Sequence, residues 1–145
     1  MSKTNQNPSG RIAFVHSCWH EDIVDRCKEG FSIRLAEHGI KLADYFSVPG
    51  ACELPLRCKQ LLVGENYALV VAAGFIVDGG IYRHEFVAQT VINGLMQVQL
   101  ETDLPVLSAV LTPKDFQRTE EQQNFFLEHI CIKGKEAEDA AAMML

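Results

Sequence analysis

Short apolar runs alternate along the chain with segments in which apolar residues recur every three or four positions. The runs predict β-strands, and the periodic segments predict helices that each carry one apolar stripe. One run is apolar at nearly every position, which is typical of a strand buried on both faces. The predicted strands are Ile12–Ser17, Ile40–Val48, Tyr67–Val77 and Val106–Leu111. The predicted helices are Asp22–His38, Glu53–Val63, Arg83–Glu101, Glu120–His129 and Lys133–Leu145.

This order of strands and helices predicts a flavodoxin-like α/β fold, with a four-stranded parallel sheet between two helical layers. The length of 145 residues suits one domain, which we expect to span residues 11–145. The polar segment Met1–Gly10 is expected to form a flexible N-terminal tail. Sheets of this kind bind ligands beyond the carboxyl ends of their strands. Candidate chemistry is therefore sought in the segments that follow the strands.

The charge and cysteine content exclude several classes of function. A net charge of -6 argues against nucleic-acid binding, and an anionic substrate must then be bound by a local positive site. The five cysteines are an odd number without any Cys-x-x-Cys spacing, and no signal peptide or run of membrane length is present. Reduced thiols, a cytoplasmic location and no metal site are the expectations.

The segment Gly79–Phe86 is the most informative stretch of the chain. Its glycine pair lies between a predicted strand and a predicted helix, where backbone N–H groups converge on an anion. Arg83 adds positive charge, and His84 adds a group that titrates near neutral pH. This combination suits a phosphorylated small molecule that gains and loses protons. A plain turn followed by a surface histidine is the alternative.

Two other residues that follow strands have both structural and functional interpretations. Trp19, the single tryptophan, is either a packed aromatic at the edge of the core or a stacking surface for a heteroaromatic ring. Glu53, at a helix start, either stabilises the helix dipole or accepts hydrogen bonds from substrate hydroxyls.

Three separated motifs together resemble the 6,7-dimethyl-8-ribityllumazine synthase family, most closely its type II branch. They are Trp19-His20, Val48-Pro49-Gly50-Ala51-Cys52-Glu53-Leu54-Pro55, and the segment from Phe75 to His84 with the sequence Phe-Ile-Val-Asp-Gly-Gly-Ile-Tyr-Arg-His. Each motif follows a predicted strand in the family's order. The resemblance covers essentially the whole chain from Arg11 onward.

The resemblance implies condensation of 5-amino-6-(D-ribitylamino)uracil with 3,4-dihydroxy-2-butanone 4-phosphate, the penultimate step of riboflavin biosynthesis. Phosphate and water are released, and neither a metal nor an organic cofactor is needed. His84 is implied to move protons during imine formation, phosphate elimination and ring closure. The pyrimidine and ribityl chain are implied to contact Trp19, Ala51, Cys52, Glu53, Phe75, Ile76, Val77 and a neighbouring subunit's Ser108. The phosphate is implied to contact Gly79, Gly80, Ile81, Arg83 and His129.

Two positions depart from the family pattern. Where type I members have a phosphate-binding arginine, this chain has Phe125-Phe126, so His129 or Arg83 is expected to take that role. Cys52 stands where an aromatic residue is usual, so we expect more room and fewer contacts beside the ribityl chain.

The resemblance also implies a homo-oligomer. Family members form pentamers whose active sites are shared between adjacent subunits, and type II members pair two pentamers into a decamer. Gly94, inside the third helix, suits close helix packing about a five-fold axis. A glycine that the helix simply tolerates is the other interpretation.

Two further functions stay open from the residues alone. A non-catalytic flavin- or lumazine-binding protein on the same scaffold would use Trp19 and Glu53 equally well, but it leaves Arg83 and His84 without a purpose. A flavodoxin-like regulator is less well supported, because the first strand is followed by neither clustered acidic residues nor a phosphate loop rich in serine and threonine.

Overall fold

Four parallel strands form the centre of the structure, a computed structural model that describes residues 10–39, 43–64, 66–77, 83–113 and 119–145. The strands are β1 (Ile12–Ser17), β2 (Ala43–Val48), β3 (Leu69–Phe75) and β4 (Val106–Leu111). The helices are α1 (Glu21–Glu37), α2 (Leu54–Val63), α3 (His84–Thr102) and α4 (Glu120–Met144). A 3₁₀ turn at Ala51–Glu53 leads into α2.

The sheet has the strand order β2-β1-β3-β4, and every neighbouring pair is parallel. In the central register, Val15 of β1 lies opposite Phe46 on one side and Ala72 on the other. Ala72 in turn lies opposite Ser108 of the edge strand β4. This topology confirms the predicted flavodoxin-like parallel sheet.

Alternating side chains of each strand supply two apolar cores, because successive residues of a strand point to opposite faces. Ala13 and Val15 of β1 face one core, which α2 and α3 cover. Ile12 and Phe14 face the other, which α1 and α4 cover. All seven residues of β3 are buried, so this strand contributes to both cores along its whole length. Both faces of the sheet must therefore be covered by helices, which gives the structure three layers.

Polar side chains join the starts of three strands at the opposite edge of the sheet. The Asp44 carboxylate accepts hydrogen bonds from the Tyr67 hydroxyl, at 2.7 Å, and from the Arg11 guanidinium. The hydrogen bond from Tyr67, followed by that from Arg11, lowers the pKa of Asp44. The carboxylate therefore stays charged and holds the chain ahead of β1 and β3 against β2.

The C-terminal part of the chain differs from the prediction. The sequence indicated two helices, Glu120–His129 and Lys133–Leu145, but α4 is continuous through Gly134. A helical glycine costs about 1 kcal/mol relative to alanine. Here close packing against α1 accounts for it: a Cβ on Gly134 would lie 2.1 Å from the Cys27 carbonyl oxygen. On the other helix, a Cβ on Gly30 would lie 2.0 Å from the Cys131 carbonyl oxygen.

The remaining differences concern boundaries and one glycine. Residues 40–42 of the predicted second strand and residues 1–9 of the predicted tail lie outside the described residues. A Cβ on Gly94 would lie 2.9 Å from Pro55 Cγ of α2, so this glycine already has a packing role within the chain. None of the helices in the described part of the chain is long and apolar enough to cross a membrane.

We expect Gly134→Ala to lower the free energy of unfolding by about 3 kcal/mol, because the new methyl group meets backbone that cannot rotate away. Urea denaturation followed by circular dichroism measures the loss.

Gly64→Ala is the matched control for that variant. Gly64 has helical dihedral angles, and the nearest atom to an added Cβ is at 3.4 Å, within ordinary contact distance. We expect a stability change between zero and a gain of about 1 kcal/mol. Equal losses in the two variants would contradict the proposed close contact between α1 and α4.

Candidate functional site

A pocket of about 310 Å³ opens where β1, β2 and β3 end. We call it the strand-end pocket; its lining residues are Ser17, Trp19, Pro49, Gly50, Ala51, Cys52, Glu53, Phe75, Ile76 and Val87. It lies at the end of β1, where the strand order reverses: β2 lies on one side of β1, and β3 and β4 lie on the other. Ligands of open parallel sheets bind at this kind of crevice. Six residues named from the sequence share this pocket: Trp19, Ala51, Cys52, Glu53, Phe75 and Ile76.

The turn after β1 presents Trp19 to solvent. The Cys18 amide donates to the Val48 carbonyl at 3.0 Å, which extends the pairing of β1 with β2 by one residue. His20 then takes a left-handed conformation, with φ of 56°, and begins α1 as its N-cap. Trp19 lies between Cys18, which is bonded to β2, and His20, which begins α1, and it is 61% exposed. Its ring is therefore available for stacking, and the packed-core interpretation of this residue does not hold.

Glu53 is held by the backbone of its own turn. Its Oε1 accepts from the Gly50 amide at 2.9 Å, while the Glu53 amide donates to the Gly50 carbonyl at 3.3 Å. The first of these bonds, from the backbone to the side chain, fixes the carboxylate at the pocket mouth, and the second closes the 3₁₀ turn. Among the described residues, Oε2 of Glu53 has no hydrogen-bond partner, so it can accept from a ligand. Oε1 thus has a structural contact, and the expected contact of Glu53 with substrate hydroxyls stays a prediction.

Ser17 is a pocket residue that the sequence analysis missed. Its side chain is 1% exposed, and its Oγ has no hydrogen-bond partner within the described ranges. A Cβ on Gly74 of β3 would lie 3.2 Å from this oxygen, so the glycine leaves the space that the hydroxyl occupies. A buried hydroxyl without a partner is costly. The available signal was its place as the last residue of a buried strand.

Aromatic rings connect the pocket to α4. Phe75 contacts His20 and Phe126 edge-on, each with ring centroids 5.5 Å apart. Phe125 contacts Phe126 at 5.2 Å and stacks on His129 at 5.7 Å with an interplanar angle of 5°. His129 is exposed and lies behind this row of rings, outside the pocket lining. His129 is therefore connected to the pocket only indirectly, through the rings of Phe125, Phe126 and Phe75.

His84 and Arg83 lie at the start of α3, beside the pocket. The His84 side chain is 18% exposed, and its Nδ1 lies 3.1 Å from Glu85 Oε2 without hydrogen-bond geometry. Val87, three residues further along the same helix, lines the pocket. Arg83 is exposed, and its guanidinium carbon lies 5.7 Å from the centre of the Phe86 ring. The positive end of the helix dipole adds to this cationic region.

The other expected residues lie apart from the pocket or outside the described part of the chain. Val77 is buried just beyond β3 and does not line the cavity. Ser108 is exposed on β4, where its Oγ accepts from the Val110 amide at 3.3 Å. The expected phosphate-binding residues Gly79, Gly80 and Ile81 lie outside the described residues.

The five cysteines are unpaired, and they divide by burial. Burial raises the pKa of both Cys27 and Cys58 to about 12, which leaves almost no thiolate at neutral pH. Cys18 and Cys52 are exposed, and of these two Cys52 lines the pocket. Within the described ranges, the one cluster of three metal-ligating side chains lies elsewhere, at the C-terminal end of α1.

Taken together, the pocket offers a flat aromatic surface, a fixed carboxylate with one oxygen open, and a buried hydroxyl in otherwise apolar walls. A histidine and an arginine lie at the adjoining helix start. This arrangement suits a planar ring with a polyol substituent.

Residues 9–145 match the family model described as 6,7-dimethyl-8-ribityllumazine synthase. This chain belongs to that family. Membership confirms the family, the transferase class and the function in riboflavin biosynthesis that the three motifs implied.

Three relatives show how far the lumazine synthase likeness extends. "6,7-dimethyl-8-ribityllumazine synthase 2" of Pseudomonas syringae pv. tomato is 50% identical over 97% of this chain and 84% of its own length. The protein of the same name in Bradyrhizobium diazoefficiens is 49% identical over 93% and 82%. The lumazine synthase of Rhodococcus erythropolis is 50% identical over 88% and 83%.

A solved structure supports the fold alone. The chain resembles a split-gene transketolase, an inactive β4 tetramer, with a TM-score of 0.56 at 18% identity. The likeness covers 93% of this chain but spans only 40% of that structure.

We expect Cys52, but not Cys18, to be protected from iodoacetamide by a lumazine ligand, because only Cys52 lines the pocket although both thiols are exposed. Cys27 and Cys58 are expected to stay unmodified at pH 8, since their thiols remain protonated there. Peptide mass spectrometry after timed labelling measures each rate. Equal protection of Cys18 and Cys52 would indicate a general closure of the protein and not occupancy of the pocket.

Proposed function

We propose that the strand-end pocket is the site at which this lumazine synthase family member performs its condensation. The chain joins 5-amino-6-(D-ribitylamino)uracil to 3,4-dihydroxy-2-butanone 4-phosphate and yields 6,7-dimethyl-8-ribityllumazine, phosphate and water. The observation that carries the assignment is the convergence of Trp19, Glu53 and Ser17 on one cavity at the strand ends. Each supplies a contact that one part of the uracil substrate requires.

Trp19 stacks on the pyrimidine ring. An exposed indole next to an apolar cavity gains contact area when a flat heteroaromatic ring covers it. Backbone groups of Phe75, Ile76 and Val77 hold the edge of the pyrimidine. The Ile76 amide already donates to the Leu111 carbonyl at 2.9 Å, which leaves its carbonyl for the ligand.

The ribityl chain lies along the turn Ala51–Glu53. Its hydroxyls donate to Oε2 of Glu53, whose position is fixed because Oε1 is bound to the Gly50 amide. A carboxylate suits this role because it only accepts hydrogen bonds and takes two O–H donors. Cys52 is small, and it gives the chain room in place of the aromatic contact usual in the family.

The phosphate of the ketone substrate binds at the start of α3. Arg83 supplies charge there, and the N-terminus of a 19-residue helix adds unpaired backbone N–H groups. Gly79, Gly80 and Ile81 complete this anion site, with His129 contributing from the side of α4. Fixing the phosphate also makes it a better leaving group.

His84 moves the protons. It begins α3, one residue after Arg83 and three residues before Val87 of the pocket lining. One histidine then serves imine formation, phosphate elimination and ring closure in turn. The two substrates already carry the nucleophilic amine and the electrophilic ketone, so positioning supplies much of the acceleration.

The active assembly is a homo-oligomer built from pentamers, paired into a decamer as in the type II branch. Support comes from α3, where Ile92, Met96 and Leu100 recur every four residues and are 41%, 52% and 70% exposed. An exposed apolar stripe of this kind marks an interaction surface. Ser108 lies outside its own chain's pocket and is exposed, which suits a contribution to a neighbour's site. Unpaired cysteines are consistent with a cytoplasmic enzyme.

We expect His84→Ala to lower kcat by about 10²- to 10⁴-fold, the usual share of one acid–base group, while ligand affinity changes little. Lumazine fluorescence and phosphate release measure turnover, and fluorescence titration with riboflavin measures binding. His38→Ala is the matched control, because it removes an exposed histidine at the far end of α1 and should keep full activity.

Two results would contradict these assignments. Unchanged turnover in His84→Ala would exclude the proton-transfer role. Absence of turnover in the wild-type oligomer, together with tight binding of ribityl-bearing ligands, would indicate a binding protein on the same scaffold.

We expect Ser17→Ala to act in opposite directions on stability and on binding. Removing a buried hydroxyl for which the described residues offer no hydrogen-bond partner stabilises the free protein by about 1 kcal/mol. Losing its hydrogen bond to the ligand weakens affinity by about three- to tenfold. Urea denaturation and fluorescence titration measure the two effects. Ser47→Ala, at an exposed serine of β2, should change neither; a loss of stability in Ser17→Ala would contradict the unpaired state of the hydroxyl.

A further inference from the structure

A buried carboxylate lies at the end of the molecule opposite the strand-end pocket. Glu138 of α4 is 0% exposed, and neither of its oxygens has a hydrogen-bond partner in the described part of the chain. Its close polar neighbour is His38, whose Nδ1 lies 2.6 Å from Oε1 but without hydrogen-bond geometry. A buried carboxylate requires a partner to offset its lost hydration. His38 satisfies at most one of the two oxygens.

The packing of α1 against α4 puts Glu138 in this position. Gly134 brings the two helices into backbone contact, and Glu138 follows it by one helical turn on the same side. His38 is the C-cap of α1, where the unpaired carbonyl groups give the helix end a partial negative charge. A cation is favoured at such a helix end.

Asp139 completes a group of three ligands. One atom each from His38, Glu138 and Asp139 lies within 4.8 Å of the others. Around a tetrahedral zinc ion, bond lengths of about 2.1 Å place ligand atoms roughly 3.4 Å apart. The buried Glu138 sets the position, and the His38 side chain, 38% exposed, has the freedom to adjust. One imidazole with two carboxylates is a donor set that zinc accepts.

The surrounding charges also favour a divalent cation. The Arg34 guanidinium lies 3.0 Å from both oxygens of Asp139 and 3.0 Å from Glu37 Oε1. Two carboxylates thus contact one guanidinium. With Glu138 included and His38 neutral, the three carboxylates and Arg34 together carry a net charge of -2. Arg34 also holds Asp139 in place, while a metal-facing lone pair remains available on its carboxylate.

We propose that His38, Glu138 and Asp139 form a zinc site that joins the C-terminal end of α1 to α4. Water takes the fourth position of the ion. α1 begins beside the strand-end pocket and has 17 residues, so the site lies roughly 25 Å away along the helix. The ion stabilises the helix pair and takes no part in the condensation. The site therefore stands independently of the proposed catalytic residues.

The test starts from the intact oligomer, stripped of metal by dialysis against EDTA and titrated with zinc chloride. Isothermal titration calorimetry gives the number of ions bound, and the unfolding temperature is followed at increasing free zinc. We expect one zinc ion per chain to be lost in Glu138→Gln and in His38→Gln, or its affinity to fall by at least about tenfold. Zinc is expected to raise the unfolding temperature of the wild type and much less that of the variants.

Glu136→Gln is the matched control. It makes the same substitution on α4, at an exposed glutamate 3.8 Å from Lys133, and should bind zinc like the wild type. If Glu138→Gln does not fold, His38→Gln still tests the site, because His38 is partly exposed. Lumazine synthesis should be unchanged in His38→Gln. Equal zinc binding in the wild type and His38→Gln, or no zinc binding by the wild type, would overturn the proposal and leave a simple His38–Glu138 ion pair.

Discussion

The complete burial of β3 is the constraint on which the rest of the structure depends. A strand that is apolar on both faces has to be covered from both sides, so helices must pack above and below the sheet. Parallel strands also require crossover connections, which the helices provide. The same connections place every strand's carboxyl end at one edge. The turns after β1, β2 and β3 therefore converge, although long stretches of sequence separate them.

Features that are unfavourable for stability gather at this edge. The four residues Ser17–His20 include an exposed tryptophan, a left-handed histidine and a buried hydroxyl that has no hydrogen-bond partner in the described part of the chain. His16, the preceding residue of β1, is also buried, and its Nδ1 has no hydrogen-bond partner among the described residues. At the opposite edge of the sheet, by contrast, the Asp44 carboxylate is paired with Tyr67 and Arg11. Such locally unfavourable conformations and unsatisfied polar groups at the mouth of a pocket are typical of a binding site, because the ligand supplies the missing contacts. Under the proposed function, the uracil substrate supplies these contacts.

The pair α1 and α4 shows a different use of close packing. Two glycines allow backbone contact, and this contact carries Glu138 into a buried position beside the end of α1. The helix pair thus runs from one end of the molecule to the other. The first part of α4 carries Phe125 and Phe126, whose rings pack next to the pocket. The C-terminal end of α1 and the later part of α4 carry the charged cluster of His38, Glu138 and Asp139.

The sequence by itself determined the four strands, the first three helices and the family, because hydrophobic period and three strand-end motifs are local signals. It also placed Trp19, Ala51, Cys52, Glu53, Phe75 and Ile76 at one site, since parallel topology brings strand ends together. It could not determine that α4 is continuous, because the glycine within it is explained by backbone from α1, which is distant in sequence. Nor could it reveal that the buried Ser17 hydroxyl has no hydrogen-bond partner among the described residues, or that the buried Glu138 carboxylate lies 2.6 Å from His38. Whether a hydroxyl or a carboxylate has a partner depends on which side chains surround it, and only the tertiary structure decides that.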